Sequence, residues 1–204
     1  MFALVESGTI TQFPKGNKGI TIGENQYPSS IYTLWTEAER NAIGIYTVEI
    51  DSTNKKSEKF WINTDITYAF SSGKVIGSYG TATAKRLNDE DAVDENGDKL
   101  KDADGNQVIN YGLKTQYKNK FNTEAAVLLS RTDWYVIKAA DVGSYSVPSN
   151  IATYRAAVRT KVNAMETSID GCANVEALIT LLTYTKQEDG SVTRPLGEFP
   201  DEVV

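Results

Sequence analysis

Apolar and polar residues alternate with a period of two through the first part of the chain, a pattern typical of β-strands that bury one face. The alternating runs are residues 45–50, 58–63, 66–70 and 75–79. Before them, residues 2–5 and 9–13 lie on either side of Gly8, which predicts a hairpin. Polar, turn-rich segments separate the runs, as expected of strands that pair with their chain neighbours. The pattern therefore predicts an antiparallel β-meander over residues 1–84.

One short helix is expected inside this β region. Thr36 and Glu39 have the spacing of a capping box, in which the hydroxyl accepts from the Glu39 amide and the carboxylate accepts from the Thr36 amide. Gly44 is well placed as the left-handed residue beyond the helix end, so the helix is expected to stop near Ile43. Trp35 and Ile43 are expected to dock it on the sheet.

From Gly112 onwards the apolar residues recur with the period of a helix. The first stripe consists of Leu113, Tyr117, Phe121, Ala125 and Leu128. The second stripe consists of Ile151, Tyr154, Val158, Val162, Met165 and Ile169. Pro148 before it suits a first helical turn, and Asn174 is positioned to cap a third helix. Residues 111–184 are therefore predicted to be helical, which makes the fold class α+β.

An acidic, turn-rich segment, residues 85–110, separates the two regions. Gly97 and Gly105 each follow a turn-forming residue, so one or two exposed hairpins are expected as an insertion. The residues after Asp102 share features of a calcium loop. However, Tyr111 stands where the loop needs a glutamate, and no metal site is predicted.

Two further features concern the organisation of the chain. Residues 185–204 are expected to form an extended tail, because Pro195 and Pro200 are incompatible with a helix there. Leu196 and Phe199 could pack this tail on the body of the protein, or the tail could serve a partner. If the β and helical regions have separate cores, the boundary is expected between residues 84 and 110; a shared core would make one domain.

Composition narrows the classes of function. The chain of 204 residues has a net charge of -6, which disfavours nucleic acid and anionic lipid as partners. No apolar run approaches the roughly 18 residues of a membrane span, so the protein is expected to be made in a cytoplasm and to stay there until something else carries it out. Cys172 is the only cysteine and histidine is absent, which removes the commonest general base and zinc ligand. We therefore expect no catalytic residues, no cofactor and no metal.

The segment from Leu128 to Arg159 is the strongest candidate for a functional element. Thr132, Asp133 and Trp134 suit a corner between two helices, in which Asp133 bonds the amides beyond it and Trp134 is buried. Arg155 and Arg159 lie four residues apart on the next helix, where either could bind the Asp133 carboxylate or carbonyls at a helix end. A purely mechanical corner explains these residues without any partner.

The same segment resembles a known signature. Leu-Leu-x-x-Thr-Asp-Trp followed by Tyr-Arg-x-x-Val-Arg, here Thr132, Asp133 and Trp134 with Tyr154, Arg155 and Arg159, is similar to the C-terminal part of small bacteriophage tail-fibre assembly or tail-fibre-associated proteins. The opening, residues 2–8 followed by Phe13-Pro14, also resembles the start of those proteins. The middle of the chain is most similar to proteins of contractile-tailed phages of marine cyanobacteria.

The resemblance implies a setting in the virion, in its tail. We expect a non-enzymatic structural or connector protein, at the baseplate or tail-fibre attachment, that contacts other phage tail or tail-fibre proteins. It could also form a homo-oligomer. One alternative is an assembly chaperone that binds fibre protein and is absent from the finished particle. A second is a glycan-binding module, suggested by the tyrosines and carboxylates.

Overall fold

The secondary structure follows the change of hydrophobic period along the chain. The computed structural model describes residues 1–203, with strands and two short helices first and longer helices later. The predicted α+β class is confirmed. The chain divides into two compact units, Met1–Thr83 and Ala84–Val204.

The first unit contains the following elements. The strands and helices up to residue 42 are β1 (Phe2–Glu6), β2 (Thr9–Gln12), β3 (Ile20–Ile22), β4 (Asn25–Tyr27), α1 (Ile31–Leu34) and α2 (Glu37–Ala42). They are followed by β5 (Ile45–Asp51), β6 (Trp61–Ile62), β7 (Ile66–Ser71) and β8 (Lys74–Tyr79). Strand β9 (Thr83–Ala84) lies at the boundary between the units. The predicted hairpin around Gly8 is confirmed, because β1 and β2 pair antiparallel.

The central sheet is mixed, and the expectation of a purely antiparallel meander is wrong. Its strand order is β2-β1-β5-β8-β7, and β5 pairs parallel to β8 while β7 pairs antiparallel to β8 at the edge. A parallel pair needs a long crossover connection, which residues 52–73 supply. Alternation of apolar residues determines which face of a strand is buried, but it does not determine which strand lies beside it.

The strand expected at residues 58–63 is also shorter than predicted. Only Trp61–Ile62 is a strand, because the amides of Phe60 and Trp61 both donate to the carbonyl of Ser57 in a turn, at 3.0 Å. The local β propensity of this run is overridden by the turn that precedes it.

Apolar clusters form on both faces of the sheet. The cluster on one face contains Ala3, Val5, Val48 and Val75. The cluster on the other face contains Leu4, Ile20, Ile31, Tyr32 and Ile45. Strand β1 contributes to both clusters, because neighbouring side chains of a strand point to opposite faces. This strand is therefore buried on both sides.

The short helix α2 begins and ends as predicted. Thr36 Oγ1 accepts from the Glu39 amide at 3.3 Å, and the Glu39 carboxylate accepts from the Thr36 amide at 2.8 Å. Hydrogen bonds to the Glu39 carboxylate from the Thr36 amide and the Thr36 hydroxyl lower the pKa of Glu39. Gly44 has φ +82°, and a Cβ there would lie 2.6 Å from the carbonyl oxygen of Val5. Trp35 and Ile43 pack against the cluster around Ile31, so the predicted docking is confirmed.

The second unit begins with the acidic segment and continues into helices. Its elements are β10 (Glu90–Asp91), β11 (Ile109–Asn110), α3 (Leu113–Ser130), α4 (Asp133–Asp141), α5 (Ser149–Asp170), α6 (Val175–Leu182), β12 (Thr185–Lys186) and β13 (Val192–Thr193). Helices α3 and α5 pack against each other. All six apolar residues of the predicted α5 stripe are buried, and the Asn174 side chain caps α6 at 2.8 Å. The sequence pattern did not predict α4.

The acidic segment forms two tight turns inside one small β structure, which confirms the hairpin prediction. Gly97 and Gly105 have positive φ at the two turns. The amides of Ala92, Leu100 and Val108 donate in a closed ring, from Ala92 to the Val108 carbonyl, from Val108 to Leu100 and from Leu100 to Ala92, at 2.8 to 2.9 Å. The same hydrogen-bonding position thus recurs every eight residues along the acidic segment.

Candidate functional site

The corner between α3, α4 and α5 is built around the guanidinium group of Arg155. This side chain projects from α5 and is 7% exposed. Its Nη1 donates to the carbonyl oxygen of Leu129 and to Thr132 Oγ1, both at 2.7 Å. Its Nη2 lies 2.8 Å from Asp133 Oδ1. The predicted contact of an α5 arginine with Asp133 and with a carbonyl at a helix end is therefore confirmed.

These contacts explain how the chain turns between α3 and α4. The last carbonyls of a helix have no partner within the helix, and Arg155 satisfies that of Leu129. Thr132 is 4% exposed, and its hydroxyl donates to the same carbonyl at 3.0 Å while it accepts from Arg155. The Asp133 carboxylate neutralises the guanidinium group at the start of α4. One arginine thus fixes the end of one helix and the beginning of the next.

The structure differs from the expectation at Trp134, Arg159 and Asp133, and it agrees at Tyr154. Trp134 is 55% exposed, so the predicted buried indole is wrong. Arg159 is exposed and donates to the Arg155 carbonyl of its own helix at 3.4 Å, rather than to the corner. Asp133 was expected to bond the amides beyond it, and its carboxylate instead pairs with Arg155. Tyr154 is 3% exposed, in agreement with its position in the α5 stripe.

Trp134 points outwards because the spacer after it is a helix rather than a loop. Residue 133 begins α4, which turns the next side chain away from α5. The ring of Trp134 contacts Tyr135, with centroids 5.5 Å apart, and the Lys138 ammonium group lies 4.8 Å from its centroid. The same ammonium group is 4.4 Å from the ring of Tyr145. These contacts hold the indole in place at the surface without covering it.

Helix α4 has an apolar face that the described protein does not cover. None of its nine residues, all within the described part of the chain, is buried. Trp134 and Ile137 are 55% and 67% exposed, and with Lys138 and Asp141 they line a shallow cleft of about 340 Å³. These four residues recur at the spacing of one helix face. We call this set the α4 face.

The α4 cleft and the Cys172 thiol show which chemical groups are available. The α4 cleft contains a single carboxylate, Asp141, and glycoside hydrolysis ordinarily requires two. Burial raises the pKa of the Cys172 thiol, which disfavours the reactive thiolate. Within residues 1–203, no three or more His, Cys, Asp or Glu side chains are grouped to hold a metal ion.

In the acidic segment, the Asp102 carboxylate serves its own turn. It accepts from the amides of Asp104 and Asn106 at 3.0 and 2.8 Å. Hydrogen bonds, first of all the one from the Asn106 amide, lower the pKa of Asp102. The turn is therefore stabilised by its own side chain, as in an Asx turn.

Sequence reasoning missed Ile137 as part of the site. The signal was available: Trp134, Ile137, Lys138 and Asp141 have helical spacing. This signal was obscured because the stretch from residue 142 to Pro148 is turn-rich, which favours a single loop between Trp134 and Tyr154.

Comparison with protein-family models gives no match, and neither do comparisons with curated proteins and with solved structures. Among residues 1–203, no helix has the length and apolar character needed to cross a bilayer.

Proposed function

We propose that the protein is a non-enzymatic structural or connector component of a phage tail, at the baseplate or tail-fibre attachment, that binds a neighbouring tail protein through the α4 face. The observation that carries the proposal is the exposure of Trp134 and Ile137 on a helix that buries none of its described residues. The phage-tail setting is supported by the resemblance of Thr132, Asp133, Trp134, Tyr154 and Arg155 to the signature of tail-fibre-associated proteins.

A partner that covers the α4 face would gain binding free energy. Full burial of one large apolar side chain stabilises a complex by about 1.5 to 3 kcal/mol. Tryptophan is enriched among the residues that dominate interface energies. Lys138 and Asp141 border the two apolar side chains with charges of both signs, which resembles the polar rim of an interface.

The corner contributes by holding this surface in a fixed orientation. Arg155 is buried and makes three contacts with the end of α3 and the start of α4. A preorganised surface loses less conformational entropy on binding than a mobile one. The signature residues thus have a structural role that supports the contact surface next to them.

Quantitative mass spectrometry of purified virions, with lysine-reactive cross-linking, tests the proposal. We expect a fixed number of copies per particle and a cross-link from Lys138 to another tail protein. A wild-type protein that is absent from particles yet binds fibre protein would contradict the component role and indicate an assembly chaperone. A wild-type protein that is present but cross-linked only through other surfaces would contradict the role of the α4 face.

A matched pair of variants sharpens this test. The double variant Trp134→Ser and Ile137→Ser is expected to lower incorporation to about a tenth of the wild-type level, because loss of an interface hot spot costs about 2 kcal/mol or more. Leu34→Ser is the control, since Leu34 is 79% exposed in the first unit. Both proteins should keep the wild-type melting temperature within a few degrees.

A further inference from the structure

The C-terminal segment, residues 194–203, lies across the helices of the second unit. Leu196 is 4% exposed, and its amide donates to the Leu181 carbonyl at 3.2 Å. The Lys161 ammonium group donates to the Leu196 carbonyl at 3.0 Å. A turn follows Arg194, where the Gly197 amide donates to the Arg194 carbonyl at 2.8 Å and Gly197 has φ +74°. We call this segment the strap.

Beyond the turn, two more side chains of the strap lie near α3 and the residue that follows it. Phe199 lines a cleft together with Thr123, Glu124, Val127 and Leu128 of α3. Glu202 pairs with Arg131, the residue that immediately precedes Thr132 in the signature. The strap therefore presents a leucine, a phenylalanine three residues later and a carboxylate three residues after that. Together these side chains reach from α6 to the corner.

The strap fills its groove incompletely. Phe199 and the α3 residues around it leave a cleft of about 340 Å³, and Val127 in this cleft is 50% exposed. An apolar cleft of this kind has unused capacity to bury side chains. The contact between Arg131 and Glu202 is at the surface, where an ion pair contributes little.

Two polar groups are left without partners where the strap is seated. Within residues 1–203, the Tyr154 hydroxyl and Arg194 Nε are buried and have no hydrogen-bond partner. Burial raises the pKa of Tyr154, and the nearby Glu202 carboxylate raises it further. A buried polar group without a partner weakens the arrangement that buries it. The Tyr154 hydroxyl belongs to α5, so it stays in the groove when the strap leaves, and a different segment could supply its missing partner.

We propose that the strap is displaceable and that its groove on α3 and α5 also binds an extended, acidic segment of a partner protein, with a branched aliphatic residue, an aromatic residue three positions later and a carboxylate three positions after that. The identity of the partner as a tail protein rests on the proposed function. The existence of the groove does not rest on the proposed function. Arg131 pairs with the Glu202 carboxylate of the strap, and Lys161 donates to the Leu196 carbonyl, so a segment with a carboxylate at the position of Glu202 is complementary in charge to Arg131.

The test is binding of a fluorescently labelled peptide with the sequence of residues 192–203 to the full-length protein, measured by anisotropy. In the wild type the attached strap competes at an effective concentration on the order of millimolar, so the peptide should bind weakly. In the full-length variant Phe199→Ala with Glu202→Gln, the strap competes less. The peptide should then bind at least about tenfold more tightly than to the wild type.

Two controls keep the result interpretable. A peptide with the same two changes, Phe199→Ala and Glu202→Gln, should not bind either protein. Glu202→Gln alone changes only an exposed ion pair and leaves the fold intact, so it should give a smaller gain in the same direction. Equal binding of the peptide to the wild type and to the double variant, or binding to neither, would overturn the proposal.

The outcome of the peptide-binding experiment is independent of the α4 face. The variant Trp134→Ser with Ile137→Ser should gain peptide affinity from the strap changes just as the wild type does, because neither residue contacts the strap groove. If peptide binding fails while the α4 variants still lose incorporation, the groove is disproved and the proposed function stands. If the peptide binds as expected while the α4 variants keep wild-type incorporation, the α4 face is disproved and the groove stands.

Discussion

Helices α4 and α5 meet at the Arg155 corner, yet they differ in what they bury. Helix α5 has 22 residues, and seven of them are buried. Helix α4 has nine residues and a larger share of apolar ones, and none of these nine described residues is buried. Apolar composition is therefore a poor guide to the core in this unit. The stripe of α5 belongs to the core, whereas that of α4 is exposed.

The comparison also separates the two roles of the signature. Thr132 and Arg155 are buried and connect the helices, whereas Trp134 is at the surface. Buried hydrogen-bonded groups of this kind fix a conformation, and exposed aromatic groups are suited to recognition. Three experiments test this division, beginning with the one of largest expected effect.

Arg155→Ala should destabilise the protein by about 3 to 5 kcal/mol, because it removes two buried hydrogen bonds from a charged donor, to the Leu129 carbonyl and to the Thr132 hydroxyl, each contributing about 1.5 to 3 kcal/mol. Arg159→Ala, four residues later on the same helix, should cost no more than about 0.5 kcal/mol because that side chain is exposed. Urea denaturation of both variants measures the difference. Similar losses for the two arginines would show that the corner does not depend on Arg155.

Two isoleucines compare the helices directly. Ile169 of α5 is 0% exposed and Ile137 of α4 is 67% exposed. Ile169→Ala should cost about 2 to 5 kcal/mol through lost burial and a residual cavity. Ile137→Ala should stay within about 0.5 kcal/mol of the wild type, helped by the higher helix propensity of alanine. Thermal unfolding followed by circular dichroism measures both, and a large loss for Ile137→Ala would place it in the core.

Trp134→Ala should have the smallest effect on stability, within about 0.5 kcal/mol, because the indole is more than half exposed. In the wild type, part of the tryptophan fluorescence should be readily quenched by acrylamide, and the variant should lack that part. Trp61, which is 8% exposed, supplies a protected reference. An unchanged quenching curve after the substitution would show that Trp134 is covered in solution.

Much of the fold could be predicted because local signals agreed with tertiary packing. The capping box at Thr36, the left-handed Gly44, the Asn174 cap and the α5 stripe each depend on residues close in sequence. The parallel pairing of β5 with β8 could not be predicted in this way. It depends on the path of residues 52–73, and loop path is not encoded in the alternation of side chains.

The candidate site was predicted in part for the same reason. The charge and spacing of Asp133 and Arg155 indicated a contact, which the structure contains. The assignment of Trp134 to the core used the general preference of large aromatic residues for burial. That preference failed because α4 begins one residue before Trp134 and turns it away from α5.

The sequence by itself determined the fold class, the ends of α2, the cap of α6 and the buried stripe of α5, because these follow from short-range hydrogen bonds and periodicity. Only the tertiary structure decided which strands are neighbours, which arginine enters the corner and which apolar helix face is left uncovered. Those outcomes depend on the balance of contacts between residues far apart in the chain, and no local pattern contains that balance.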